Sequence, residues 1–319
     1  MGNKLSSRRK NKYMASVTAT SASSDDAQSS SHTSLSMTTS SNGRLYHDNA
    51  TSSYWFPRDF EEMDRLIGQH FAIKTLFDGE NIYGKGKSLL NLEKGAKILD
   101  IACGPGTWLM DVATEYPNCE CVGVDMVDVF PTDIRPSNVK FQVGDVMQRL
   151  PFEDDTFDFI HVRLMLVALK KEEWEPMLRE VLRVLKPGGC AQSVEAGMLE
   201  NGNAFVLKAG FAFRDMMLAK GQHAYAASDI NNLMSAAGFD VVEYERRDIV
   251  LSKRDQLTRE FHWDLLNIFS TAQPVIQPAL GITAEEYPQF IERLGIEMQK
   301  KPDANWSFTV CFGQKPHKV

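Results

Sequence analysis

Three acids, each closing an apolar run, carry the chemical signal of this chain. In Ile98-Leu99-Asp100-Ile101-Ala102-Cys103-Gly104-Pro105-Gly106-Thr107, an apolar strand ends in an acid and runs through a Gly-x-Gly turn into a helix. Glycines there let the backbone approach a ligand closely, and such turns lie at the carboxyl edge of a parallel sheet, where ligands bind. Asp125 closes the next apolar run, Cys121-Val122-Gly123-Val124, and Asp145 follows Val143-Gly144. An acid after the second strand is placed to accept hydrogen bonds from two ribose hydroxyls. Asp145, one strand further on, can accept from an adenine amino group. A dinucleotide fingerprint would need glycine where Leu109 stands. Its pyrophosphate would also meet Asp100 at the helix N-terminus. A cationic ligand fits better: a nucleoside carrying an amino-acid or sulfonium group.

The elements that position these acids are legible as an alternation. Lys97–Ile101, Cys121–Val124, Val139–Val143, Phe157–Val162 and Cys190–Val194 read as strands. Thr107–Glu115 and Glu172–Leu185 read as helices, the second stopped by Lys186-Pro187-Gly188-Gly189, which turns the chain into the fifth strand. Strands alternating with helices imply a parallel sheet covered on both faces. Helices follow at Ala204–Ala219 and Ile230–Ala237, then strands at Val241–Arg246 and Phe308–Phe312, separated by a mostly helical insert from Ser252 to Lys301. The Phe- and Met-rich helix at 204–219 and the insert are placed to cover a moderately apolar small molecule. Ahead of the alternation, Pro57 to Phe77 reads as an amphipathic helix docking through Phe60, Met63, Leu66, Ile67, Phe71 and Leu76.

Composition narrows the partners. The 319 residues carry a net charge of −7, but residues 1–53 hold six basic and three acidic side chains, which leaves −10 on the remainder. An acidic body offers no footprint for a phosphate backbone, so no nucleic-acid partner is expected. Five cysteines without paired spacing argue against a disulfide framework or a zinc site and fit a reducing, intracellular compartment; no metal is expected. The Ser/Thr-rich stretch in residues 1–53 reads as a disordered tail ahead of a folded domain at 54–319. Met1-Gly2-Asn3-Lys4-Leu5-Ser6 matches an N-myristoylation pattern at Gly2, and Lys4, Arg8, Arg9, Lys10 and Lys12 supply the basic patch that a single acyl chain needs. Peripheral contact with a cytoplasmic membrane face is the expectation; a nuclear signal is the alternative reading of the same arginines and lysines.

The series Asp100 to Gly106, Asp125, Asp145, Phe157-Asp158-Phe159-Ile160 and Leu185-Lys186-Pro187-Gly188-Gly189 resembles a class I S-adenosylmethionine-dependent methyltransferase over residues 94–196. Tyr54 to His70, with Pro57, Asp59, Glu62, Arg65, Leu66, Gln69 and His70, is similar to the segment preceding that domain in fungal secondary-metabolism methyltransferases, relatives of the velvet-complex regulator. The resemblance implies a doubly wound, mostly parallel seven-stranded α/β sheet of Rossmann-like order with helical cap insertions, and S-adenosylmethionine as cofactor. It implies that Asp100, Ala102, Cys103, Gly104 and Gly106 line the methionine part. Asp125 would hold the ribose, Met126 would pack beside the adenine, and Asp145 and the backbone of Val146 would take the adenine edge. Ala102 stands where glycine is commonest in the family. His161 and Arg163 fall at the end of the fourth strand, which in the family faces the transferable methyl. His161 is thus the candidate general base, against its reading as a core histidine. The function expected is methyl transfer to an unidentified acceptor, most simply a small molecule. Two alternatives stay open: a cofactor-binding regulator working through protein partners, and a nicotinamide oxidoreductase, against which Leu109 and Asp100 argue.

Overall fold

In the computed structural model, residues 37–39, 43–47 and 53–317 are described. Gly2 and its basic cluster lie outside them. Seven strands build one sheet: β1 (Lys97–Ile101), β2 (Glu120–Asp125), β3 (Val139–Val143), β4 (Phe157–Arg163), β5 (Leu185–Ala196), β6 (Asp240–Val250) and β7 (Ala304–Gln314). Their order across the sheet is β3-β2-β1-β4-β5-β7-β6, and β1 to β5 run parallel. β7 enters antiparallel to both neighbours, so the expected seven-stranded, mostly parallel sheet is present. A two-residue strand, Glu200–Asn201, adds an eighth along the start of β7. The chain winds outward from β1 through β2 and β3, then resumes on the other side at β4. The carboxyl ends of β1 and β4 therefore flank the switch point where such sheets open a crevice.

Alternation along the strands feeds two apolar layers. On one face α2 (Thr107–Glu115) lays Trp108, Leu109 and Val112 against Ile98, Cys121, Phe159 and Phe312. On the other, α3 (Trp174–Val184) packs Trp174, Met177 and Val181 with Leu99, Val122, Ile160 and Val194, joined by α4 (Ala204–Ala219) and α5 (Ala226–Ala237). Several boundaries differ from expectation. The helix expected from Glu172 is a 3-10 turn over Lys171–Glu173 followed by α3. The Lys186–Gly189 segment belongs to an irregular start of β5, where pairing with β4 skips between Phe157 and Phe159. Asp158, which alternates away from the cleft, accepts from the Lys97 amide at 2.8 Å and from Lys186 Nζ, pinning the start of β1 to β4 and β5.

The stretch expected to be a featureless tail is partly built. Met37–Thr39 pairs antiparallel with Leu45–His47, and Arg44 binds Asp59 through two nitrogens at 2.5 and 2.8 Å. Asp59 in turn caps α1 (Phe60–Leu76) by accepting from the Glu62 amide.

α1 also docks by a face other than the apolar one. Phe60 is 91% exposed and Phe71 51%, while the buried residues are Glu62, Arg65, Gln69, His70, Ala72 and Ile73. The reason is a buried ionic network with α6 (Gln256–Thr271). Arg65 donates to Glu62 at 2.6 and 3.0 Å and to Asp264 at 2.6 Å, and Gln69 donates to the second oxygen of Asp264. Burial alone would lower the Arg65 pKa, but Asp264 and Glu62 outweigh it and hold the guanidinium charged. Removing one partner from such a network strands the others. We expect Arg65→Met to lose about 3–5 kcal/mol in urea unfolding. A loss below about 1 kcal/mol would mean that the two carboxyls simply take up protons when the guanidinium is gone.

Candidate functional site

A cleft of about 370 Å³ opens at the carboxyl ends of β1 to β4, a size ordinary for a small-molecule site. Asp100, Ala102, Cys103, Gly104, Asp125, Met126, Asp145 and Val146 all line it, together with Tyr54, Pro57, Arg58, Met63 and Leu66 from the segment entering α1 and from α1 itself. Gly106 lies outside the lining and shapes the turn instead. It caps α2 at φ 72°, and a Cβ there would sit 2.4 Å from the Phe141 ring. Ala102, at φ 54°, holds a left-handed backbone that costs an L-residue about 1–2 kcal/mol. Leu164, at φ 59°, does the same on the opposite wall. Strain of this kind gathers at binding sites because the surrounding structure over-determines it. Ala102→Gly relieves the strain but gives back part in chain entropy. The expected net gain is about 0.5–1 kcal/mol, read as a raised urea midpoint.

The electrostatics of the cleft are unusual in one respect. Asp100 is 3% exposed, and its carboxylate makes no hydrogen bond or ion pair with any described residue. Desolvation pushes its pKa up to about 8, with the Asp125 charge adding and Arg163 opposing. Asp125 is better supported: its two oxygens accept from the Gly104 and Val127 amides at 2.8 and 3.0 Å. Asp145 accepts from the Met147 amide, which braces the loop after β3. A second, apolar cavity of about 90 Å³ shares Tyr54, Leu66 and Leu164 with the cleft. Phe56, Met198, Phe213, Phe269 and Trp306 are among its walls, so α4 and α6 contribute cover as their composition implied.

His161 is not brought to the cleft. Its position on β4 puts it under α2, 1% exposed, with its ring stacked on Trp108 at 3.8 Å and Nδ1 accepting from Gln192. Burial drives its pKa well below the usual value. A neutral ring without access to the cleft cannot take a proton from a ligand there, so the general-base assignment is corrected. Arg163, two residues on, does line the cleft and donates to His70 Nδ1 at 3.2 Å. His70 sits on Asp111 at 3.1 Å through Nε2, and Asp111 also accepts from Lys74 and Asn81. Burial lowers the His70 pKa to about 4, and the Arg163 charge adds to this against the Asp111 hydrogen bond. Sequence reasoning gave the α1 polar residues no task. The spacing of Glu62, Arg65 and Gln69 at three and four was the available signal for a buried polar face.

A family model described as "Methyltransferase domain" matches residues 98–189, which spans β1 through the irregular start of β5. The chain thus carries a methyltransferase domain of the S-adenosylmethionine-dependent class. Within that class it is related to fungal N-methyltransferases and to LaeA-like regulators of secondary metabolism. It is 28% identical to N-methyltransferase verN of Clonostachys rogersoniana over 84% of this chain and 95% of that protein. Methyltransferase pytC of Aspergillus terreus is 26% identical over 86% of this chain and 87% of its own length. The secondary metabolism regulator LAE1 of Cochliobolus heterostrophus is 32% identical, but over 49% of this chain and half of that protein. The cofactor's ammonium suits the uncompensated Asp100 carboxylate. Among the described residues no helix is long and apolar enough to cross a membrane, and no three His, Cys, Asp or Glu side chains gather to hold a metal.

The state of Asp100 sets a pH dependence. The free protein holds a proton on Asp100 below about pH 8, and a cationic ligand needs that proton gone. Affinity for S-adenosylmethionine should therefore rise between pH 6 and 8, by up to about tenfold per unit. Calorimetry in buffers of different ionisation enthalpy should find close to one proton released at pH 7. Asp100→Asn should flatten the slope.

Proposed function

We propose that this protein methylates a small, largely apolar amine, with the cofactor in the cleft and the acceptor entering from the adjoining apolar cavity. The observation that carries the reading is that the two spaces adjoin, with Tyr54, Leu66 and Leu164 lining both. A nucleophile held in the apolar cavity meets the part of the cleft beyond Asp100. The cofactor supplies an electrophilic methyl on sulfur, and its departure as S-adenosylhomocysteine drives the transfer. Asp100 and the strained turn at Ala102 and Gly104 would seat the methionine end. Asp125 would take the ribose hydroxyls, while Met126, Asp145 and Val146 would bracket the adenine.

The residues around the acceptor do a different job. Burial among Phe56, Phe213, Phe269 and Trp306 disfavours an ammonium, so an amine bound there sheds its proton to water and presents its lone pair. Alignment and exclusion of water then account for catalysis without a strong base. That accords with His161 being out of reach. The verN relative, whose name specifies transfer to nitrogen, supports nitrogen over oxygen or carbon.

A second reading has its own observation. Phe60, Ile67 and Phe71 on α1 and Trp263 on α6 are exposed, an apolar set on one side of the molecule of the kind that marks protein contacts. It favours a regulator that binds the cofactor and acts through a partner.

Calorimetry of the full chain separates the two. S-adenosylmethionine and S-adenosylhomocysteine should bind, and Asp125→Ala should weaken both by about tenfold or more, roughly 1.4 kcal/mol. A panel of apolar primary and secondary amines should then release S-adenosylhomocysteine. Binding without turnover on any amine, alcohol or carbon acid favours the regulator; no binding at all removes both readings.

A further inference from the structure

Resting on that cofactor reading, we infer that the cleft recognises an intact α-amino-acid head group, with Arg163 as receptor for its carboxylate opposite Asp100. β1 and β4 are in parallel register with Asp100 beside His161, so Arg163 lies one strand across and two residues toward the carboxyl end. That offset puts the two α-carbons about 8 Å apart on the same sheet face. The gap suits an ammonium on one side and a carboxylate on the other.

Charge supports the pairing. The acids among the cleft residues are Asp100, Asp125, Asp145 and Glu173, and the cations are Arg58 and Arg163. A ligand carboxylate entering so acidic a cleft needs a fixed cation to offset repulsion. Arg163 makes no ion pair within 4 Å among the described residues, and its one hydrogen bond, to His70, leaves other N–H groups of the guanidinium free. A guanidinium is built to take a carboxylate with two parallel hydrogen bonds.

The arrangement behind Arg163 holds it for this task. His70 accepts from Arg163 with Nδ1 and donates from Nε2 to Asp111, so the imidazole stays neutral and one tautomer is selected. Asp111 is anchored by Lys74 and Asn81. Had the Arg163 charge been meant for neutralisation inside the protein, a carboxylate in place of His70 would have served. A neutral acceptor orients the guanidinium and leaves its charge for a ligand.

The test compares S-adenosylmethionine with its decarboxylated analogue, which keeps the sulfonium, ribose, adenine and amine. On the wild-type chain, equilibrium binding should favour S-adenosylmethionine by at least about tenfold, the worth of a charge-assisted hydrogen bond. In Arg163→Met the two ligands should bind within about threefold of each other, the analogue's own affinity being little changed. Arg58→Ala should keep the wild-type preference. The wild-type comparison requires no variant to fold. Equal wild-type affinities overturn the inference, as does loss of the preference in Arg58→Ala but not in Arg163→Met. Failure of every adenosyl ligand to bind the wild type instead overturns the cofactor reading itself.

Discussion

Everything at the cleft depends on one uncompensated charge site. Asp100 is buried at the end of a central strand without a donor among the described residues, and a carboxylate in that position is expensive unless it is protonated or paired. A folded protein ordinarily supplies such a group with a partner. Here the turn after β1 is instead held open by left-handed backbone at Ala102, Gly104 and Gly106. On the proposed reading, a carboxyl left without a donor beside this turn is available to a cationic ligand. Asp125 shows the contrast: its oxygens brace the Gly104 turn and the Val127 amide, so it builds the pocket as well as facing into it.

The part of this that was legible in the sequence follows from local rules. A strand ending in an acid, a glycine turn and a helix are all encoded within ten residues, so β1, α2 and the cleft edge could be read directly. Asp125 and Asp145 were readable because strand ends recur at regular intervals. What escaped has non-local causes. His161 is tempting because its strand end is close to the chemistry, but it lies two residues short of Arg163 on the same face, where the Trp108 ring covers it. The face of α1 was misread for a related reason. Apolar spacing names the docking face only when the partner is apolar, and the partner here is Asp264, 199 residues from Arg65.

The relatives divide in the same way as the molecule. The match to the regulator covers about half of this chain, whereas the match to verN extends over most of it. The second cavity draws on α4, α6 and β7, outside the 98–189 family match. With the acceptor in that cavity, as proposed, its identity would reside in the part of the chain where fold-level likeness carries least information.

The ionic face of α1 has a consequence for the order in which the chain is made. α1 leaves the ribosome long before α6, since Arg65 and Asp264 are 199 residues apart, and chains are synthesised and fold from the N-terminus. An apolar docking face would spend that interval exposed and prone to association. Glu62, Arg65, Gln69 and His70 stay hydrated instead, and lose their water when Asp264 and Asp111 close on them. The charges that keep this face of the helix in water before α6 exists are thus the ones that later fasten it in place.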